Sequence, residues 1–214
     1  MMFLPPKVLT TEKGRGRRGK GAKLPTVAPE GGLTVGSLQN HIETFSRYRV
    51  MASSNANKPL NGSWDLYYHL PHDKSWDLSS YKTIVGAVDT VEKAVSINEN
   101  LTEHIVKYSM LFAMRSGITP MWEDPKNRSG GCFSFKVLNK QVFEVWKALF
   151  YAMCGETLYP EYAHVNGITI SPKRNFCIIK IWLDTCTLQD PNIIIDIPNL
   201  PKQGCIFKKH APEF

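Results

Sequence analysis

Disulfide and zinc chemistry find no footing in this chain. Its five cysteines, Cys132, Cys154, Cys177, Cys186 and Cys205, are odd in number, widely spaced and without a CxxC pair, which argues against both a disulfide framework and a zinc site. A reducing compartment fits, with most of the thiols acting as small buried side chains. No apolar run approaches the ~18 residues of a membrane-spanning helix. The start, Met1 to Leu9, has too short an apolar stretch for a signal peptide and is broken by Pro5 and Pro6. A cytoplasmic location is expected, with the nucleus also open. Clustered carboxylates for metal or general-base work are missing as well: Glu123, Asp124 and Asp184 are the only candidates, and they lack catalytic spacing. The six histidines form no metal spacing and read as surface or loop residues. Neither an enzyme nor a cofactor site is expected.

What charge there is lies mostly in one place. The formal net charge is +7, yet residues 1–23 hold seven Lys or Arg against one Glu, leaving nineteen basic and eighteen acidic residues for the other 191. Residues 1–40 read as a disordered tail, because Gly mixed with like charges between Lys13 and Lys23 buries nothing. The tail is either a weak, salt-sensitive RNA-binding arm or a solvated extension. Residues 41–214 read as one domain, opening with a short helix in 41–57.

From Pro59 the pattern is strands with a few helices. Ser63 to Leu70 alternates as a half-buried strand, with Trp64, Leu66 and Tyr68 on one face. Thr83 to Val88 is a short strand, and Asp89-Thr-Val-Glu92 has the form of a capping box with Asp89 as N-cap before a helix to Asn98. Lys107 to Met114, Cys132 to Leu138, Ala163 to Ile170 and Phe176 to Leu183 read as strands. Gln141 to Cys154 is the clearest helix, its apolar positions at helical spacing and Gly155 placed to cap it. Ile193 to Ile195 and Cys205 to Phe207 are candidate short strands. Too few helices occur for a βαβ series, so the expected class is α+β, a mainly antiparallel sheet of about six to eight strands.

Five tryptophans carry the functional argument. Trp64, Trp146 and Trp182 occupy apolar phases of regular elements and read as core. Trp76 sits in the polar loop Pro71 to Asp77, and Trp122 in a loop bounded by Pro120 and Pro125. Large aromatics in polar loops call for a purpose, and two on one sheet edge make a stacking slot. Bases stack on indole at roughly 1–3 kcal/mol each, and a cationic ring adds about 0.5–2 kcal/mol of cation–π attraction. N7-methylated guanine is flat and cationic, and its N1–H and N2–H suit a carboxylate acting as a bidentate acceptor. Glu123, next to Trp122, supplies one.

Met121-Trp-Glu-Asp124, then Lys126-Asn127 and Gly130-Gly131, resemble the signature of the eukaryotic translation initiation factor 4E family. Lys58-Pro-Leu60, Asp73-Lys-Ser-Trp76, Val88 to Glu92, Trp146 with Gly155-Glu156, and Ile179-Lys-Ile-Trp182 resemble its other landmarks in order, so the likeness covers about residues 58–184. It implies a curved antiparallel sheet with about three helices on its convex face and the 7-methylguanosine cap of mRNA in its concave face. Trp76 and Trp122 would stack on the base and Glu123 would read its edge. The family's Arg after the Gly-Gly turn is replaced here by Cys132, so the resemblance puts the cap phosphates on Lys173 and Arg174, helped by Arg128 or Lys126.

The family also binds a helical peptide of a 4G-like scaffold or 4E-interacting protein on its convex face. Here Pro59, Val91 and Gly155 match that face. Val95 stands where a Trp is usual, and Lys147, Ala148 and Tyr151 replace the usual Leu, Glu and Leu. Loss of the Trp removes a hot-spot anchor, so a rewired face is expected. The third helix reads as shortened at Asp190-Pro191. Divergence on this scale resembles that of paralogues in early-branching eukaryotes such as trypanosomatids. A monomer is expected. The competing readings are a general single-strand RNA binder and a translational repressor on the same fold.

Overall fold

The computed structural model describes residues 57–70 and 72–210. The basic tail and nearly all of the expected 41–57 helix lie outside them. Seven strands form one sheet: β1 (Pro59–His69), β2 (Lys82–Thr90), β3 (Met110–Arg115), β4 (Gly131–Leu138), β5 (Val165–Pro172), β6 (Phe176–Leu183) and β7 (Ile206–Lys209). Their order is β2-β1-β3-β5-β6-β4-β7, and every pairing is antiparallel. The sheet is curved, as the family resemblance implies.

Four α-helices are described: α1 (Val91–Asn100), α2 (Glu103–Tyr108), α3 (Pro125–Arg128) and α4 (Val142–Cys154). The cap of α1 falls one residue later than expected. Thr90, not Asp89, is the N-cap, its side chain accepting from the Lys93 amide. Asp89 pairs with Lys93 at 2.7 Å instead, and Glu92 accepts from the Lys58 amide at 3.0 Å, tying the entry of β1 to the helix. Helix α2 was unforeseen, and it occupies the start of the expected 107–114 strand. Thr102 caps it by accepting from the Ile105 amide. A 3-10 turn at Pro191–Ile193 replaces the expected 193–195 strand. Between β6 and β7 the described residues contain no α-helix, so the third helix is gone rather than shortened.

One face of the sheet packs on α1, α2 and α4. There Trp64, Trp146, Phe133, Phe135, Leu149 and Phe150 are fully enclosed. Ile194 and Leu200, on the extended segment before β7, join this core in place of a third helix. The opposite, concave face carries a smaller cluster of Phe112, Met114, Ile118, Cys132 and Trp182. Strand alternation sorts the residues: Ile179 and Ile181 of β6 point into the core, while Lys180 and Trp182 point to the concave side. At the start of β4 only glycine fits, since a β-carbon on Gly130 would collide with the Leu183 carbonyl and one on Gly131 would press on the Phe207 ring.

Candidate nucleobase-binding site

Trp76 and Trp122 are 51% and 37% exposed, against 1% for Trp64 and 0% for Trp146, so the two loop indoles stand apart from the core as expected. Both line one concave cavity of about 260 Å³, together with Glu123, Tyr81, Phe112, Thr169, Lys180 and Trp182. Trp182 reads as core in the sequence and is indeed only 7% exposed, but it belongs to the floor of this cavity. Its indole N–H donates to Thr169 Oγ1 at 3.1 Å, and the His210 ring lies 4.4 Å from it.

The loop carrying Trp122 and Glu123 is held from behind. Asn127, fully buried, donates its side-chain amide to the carbonyls of Thr119 at 3.0 Å and Met121 at 2.7 Å. Its Oδ1 accepts from Asn166 Nδ2 of β5 at 2.9 Å, and the same Asn166 amide also donates to the Lys126 carbonyl. Asp124 clasps the other end: Oδ2 accepts from both the amide and hydroxyl of Thr119 at 2.7 Å, and Oδ1 from the Lys126 amide. Burial opposes the charged Asp124 carboxylate, but the bonds from Thr119 and Lys126 outweigh it and hold its pKa below the usual value. The folded carboxyl is therefore the stronger acid, and its stabilisation is lost only as pH falls through that lowered value. Thermal melts from about pH 6 to about pH 3 should reveal this acid step in the unmodified protein and its absence in Asp124→Asn; identical profiles would remove the clasp.

Trp76 rests on a histidine. The His69 and Trp76 rings stack with centroids 4.3 Å apart and planes 4° apart, and Tyr81 meets His69 edge-on at 5.3 Å. His69, fully buried at the end of β1, corrects the reading of the histidines as surface residues. Burial first, then the nearby Glu123 carboxylate, push the Tyr81 phenol up to about 12, so it stays neutral beside Glu123.

The expected phosphate residues are less concentrated. Lys173 and Arg174 lie exposed in the turn between β5 and β6, and Lys126 and Arg128 are exposed on α3; none lines the cavity. Lys180 does, paired across the sheet with Ser134 and Thr169. Cys132 is buried beside it, where burial pushes its thiol up while Lys180 and Lys208 act in the other direction. Lys180 and Lys208 belong to β6 and β7, the two strands that flank β4. Neither Lys180 nor Lys208 has a carboxylate within ion-pair distance among the described residues.

On the opposite side of the sheet Val91, Val95 and Tyr151 are exposed, with Pro59 and Gly155 exposed as well. Lys147 adds less free charge there than its sequence suggests: it pairs with Glu99 at 3.1 Å, and Tyr151 donates to the same carboxylate at 3.0 Å. The cysteines are all free, with Cys132, Cys154 and Cys177 buried.

Residues 59–208 match the family model for eukaryotic initiation factor 4E. Eukaryotic translation initiation factor 4E of Candida glabrata is 31% identical over 133 residues, covering 60% of this chain and 64% of that protein. The Saccharomyces cerevisiae protein is 31% identical over 129 residues, covering 58% and 61%. The chain thus spans a little under two thirds of the length of these yeast relatives. Among solved structures, the complex of Caenorhabditis elegans eIF4E-3 with the 4E-binding protein Mextli and cap analog superposes with a TM-score of 0.56 at 25% identity, covering 62% of this chain and 77% of that one. With its antiparallel sheet, the paired loop tryptophans and a family match over most of its length, the chain belongs to the eukaryotic initiation factor 4E family.

Proposed function

We propose that this protein binds the 7-methylguanosine cap of mRNA in its concave slot and acts in translation initiation without catalysing a reaction. The observation that carries this reading is the convergence of Trp76, Trp122 and Glu123 on one cavity. The two indoles take the faces of the methylated base, where stacking and cation–π attraction add, and the Glu123 carboxylate accepts from N1–H and N2–H. Lys180, the cation among the described residues that lines the cavity, takes the first share of the phosphates, with Lys208 across β4; Lys173, Arg174 and Arg128 serve as outer contacts. The cap analog held by the C. elegans relative supports this assignment, as does family membership. The exposed Val91, Val95 and Tyr151, with Pro59 and Gly155 at their margin, form the docking face for a helical segment of a 4G-like scaffold or a 4E-binding protein. Mextli is such a partner for the nematode protein.

Tryptophan fluorescence tests the cap reading. 7-methyl-GTP should quench emission and bind about tenfold more tightly than GTP, the worth of the cation–π term. Lys180→Met should weaken 7-methyl-GTP, leave 7-methylguanosine nearly unchanged and lower the salt dependence. Equal affinity for GTP and 7-methyl-GTP would leave only a general base-stacking slot and end the cap assignment.

A further inference from the structure

Trp76 is the better wall if its indole is already upright when the slot is empty. Its loop offers little to hold it: bonds run from the Ser75 amide to Asp73, between the Ser75 hydroxyl and Asp77, and from the Asp73 amide to the Leu70 carbonyl, and none touches the indole. What touches it is His69, whose imidazole lies flat against one indole face, with Tyr81 tilted at 6.3 Å. His69 is also hydrogen-bonded to the loop, at the residue that immediately precedes Trp76. Its Nε2 lies 2.7 Å from the Ser75 carbonyl, which can only accept, so Nε2 carries a proton. The other nitrogen, Nδ1, is buried with no hydrogen-bond partner among the described residues. An apolar side chain there would remove that orphan but leave the Ser75 carbonyl without its donor. The site keeps a ring that is both flat and a donor.

We infer that His69 is the positioning residue of the slot: it backs Trp76 as a second flat ring and latches the Ser75 carbonyl, so that the indole is already set for a base on its free side. This rests on the cap reading above and extends it from the wall to its support. A ligand then meets an ordered indole and is spared the entropy of immobilising it. The stack becomes three layers deep, imidazole, indole and base, with His69 never touching the ligand. Because β1 alternates, His69 shares the concave side with Tyr67 while Tyr68 faces the core, and its place behind the wall is fixed by strand phase.

The test uses His69→Leu, which keeps an apolar filling of the site, and His69→Phe, which keeps a flat ring without the latch. Order of the Trp76 indole N–H is read by NMR relaxation in ligand-free protein, with Trp76→Phe assigning the signal, and 7-methyl-GTP affinity is read alongside. His69→Leu should free the indole and lower affinity about tenfold, while His69→Phe restores order and most of the affinity. Trp76 as ordered in His69→Leu as in the unmodified protein would overturn the inference. So would an indole equally mobile in both variants, since the flat ring would then not be what holds it. Failure of the unmodified protein to bind 7-methyl-GTP would sink the cap reading alone, because indole order is measured without ligand.

Discussion

Trp122→Ala should abolish the fluorescence response to 7-methyl-GTP and weaken binding about a hundredfold. The substitution removes one of the two stacking faces and its share of cation–π attraction, together on the order of 3 kcal/mol. Trp122 is more than a third exposed, and the loop is anchored by Asn127 and Asp124 rather than by the indole, so melting should hardly change. Glu123→Gln is the finer companion. It keeps volume but replaces one acceptor oxygen with a donor facing a donor, and it removes the charge. A loss of about 2 kcal/mol, some thirtyfold, follows for charge-assisted bonds. Its effect should be felt for GTP as well as 7-methyl-GTP, since both present the same edge, whereas Trp122→Ala should fall harder on the methylated base. Isothermal titration of the four combinations separates the two roles. Less than a threefold loss in both variants would mean that the base sits elsewhere.

The second large effect lies behind the slot. Asn127→Ala takes the side-chain donor from the part-buried carbonyls of Thr119 and Met121 and one of two acceptors from the buried Asn166 amide, which keeps its bond to the Lys126 carbonyl. Unsatisfied buried groups cost about 1–3 kcal/mol apiece, so stability should fall by on the order of 3 kcal/mol, or about 6–12 °C in Tm for a chain of this size. The same substitution unties the segment that carries Trp122 and Glu123. 7-methyl-GTP affinity should therefore drop about tenfold at temperatures where the protein is still folded. Lys126→Ala, one residue away and exposed, leaves all three of these bonds in place and should change neither quantity much. A fall in stability below about 1 kcal/mol for Asn127→Ala would show that the carbonyls find other partners.

Much of this arrangement was legible in the sequence because the relevant patterns are long or sharply bounded. Helix α4 announces itself through six apolar positions at helical spacing, and strand β6 came out with its observed ends, Phe176–Leu183. The two exposed loop tryptophans were found by their polar surroundings. Other features were hidden for physical reasons. Helix α2 has six residues, too few for a period to appear, and its Ile105 and Val106 resemble a strand opening. The α1 cap was misplaced because Asp89 and Thr90 can both cap; in the fold Thr90 accepts from the Lys93 amide while Asp89 pairs with the Lys93 ammonium. In β6 the near-continuous apolar run conceals which face each residue takes, so Trp182 read as core and Lys180 went unassigned. Counting by twos from Trp182 gives Lys180 the same face, a signal that was present. His69 shares its strand phase with Tyr67, which also could have marked it. The expected roles of Lys173 and Arg174 came from alignment with a family pattern, and their turn lies beyond the lining of the cavity.

The strand order carries a consequence for biosynthesis. Strands β3 and β4 are consecutive in the chain but separated in the sheet by β5 and β6, which the ribosome makes afterwards. The segment bearing Trp122 is the crossover spanning that gap, and its anchor Asn127 waits for Asn166 of β5. A nascent chain that has emerged only as far as α4 thus holds both tryptophans and the glutamate, yet lacks Thr169, Lys180 and Trp182 of the cavity lining and the Asn166 that braces the Trp122 loop. The slot is therefore complete only once the β5–β6 hairpin lies between β3 and β4, so its last walls come from the last third of the chain.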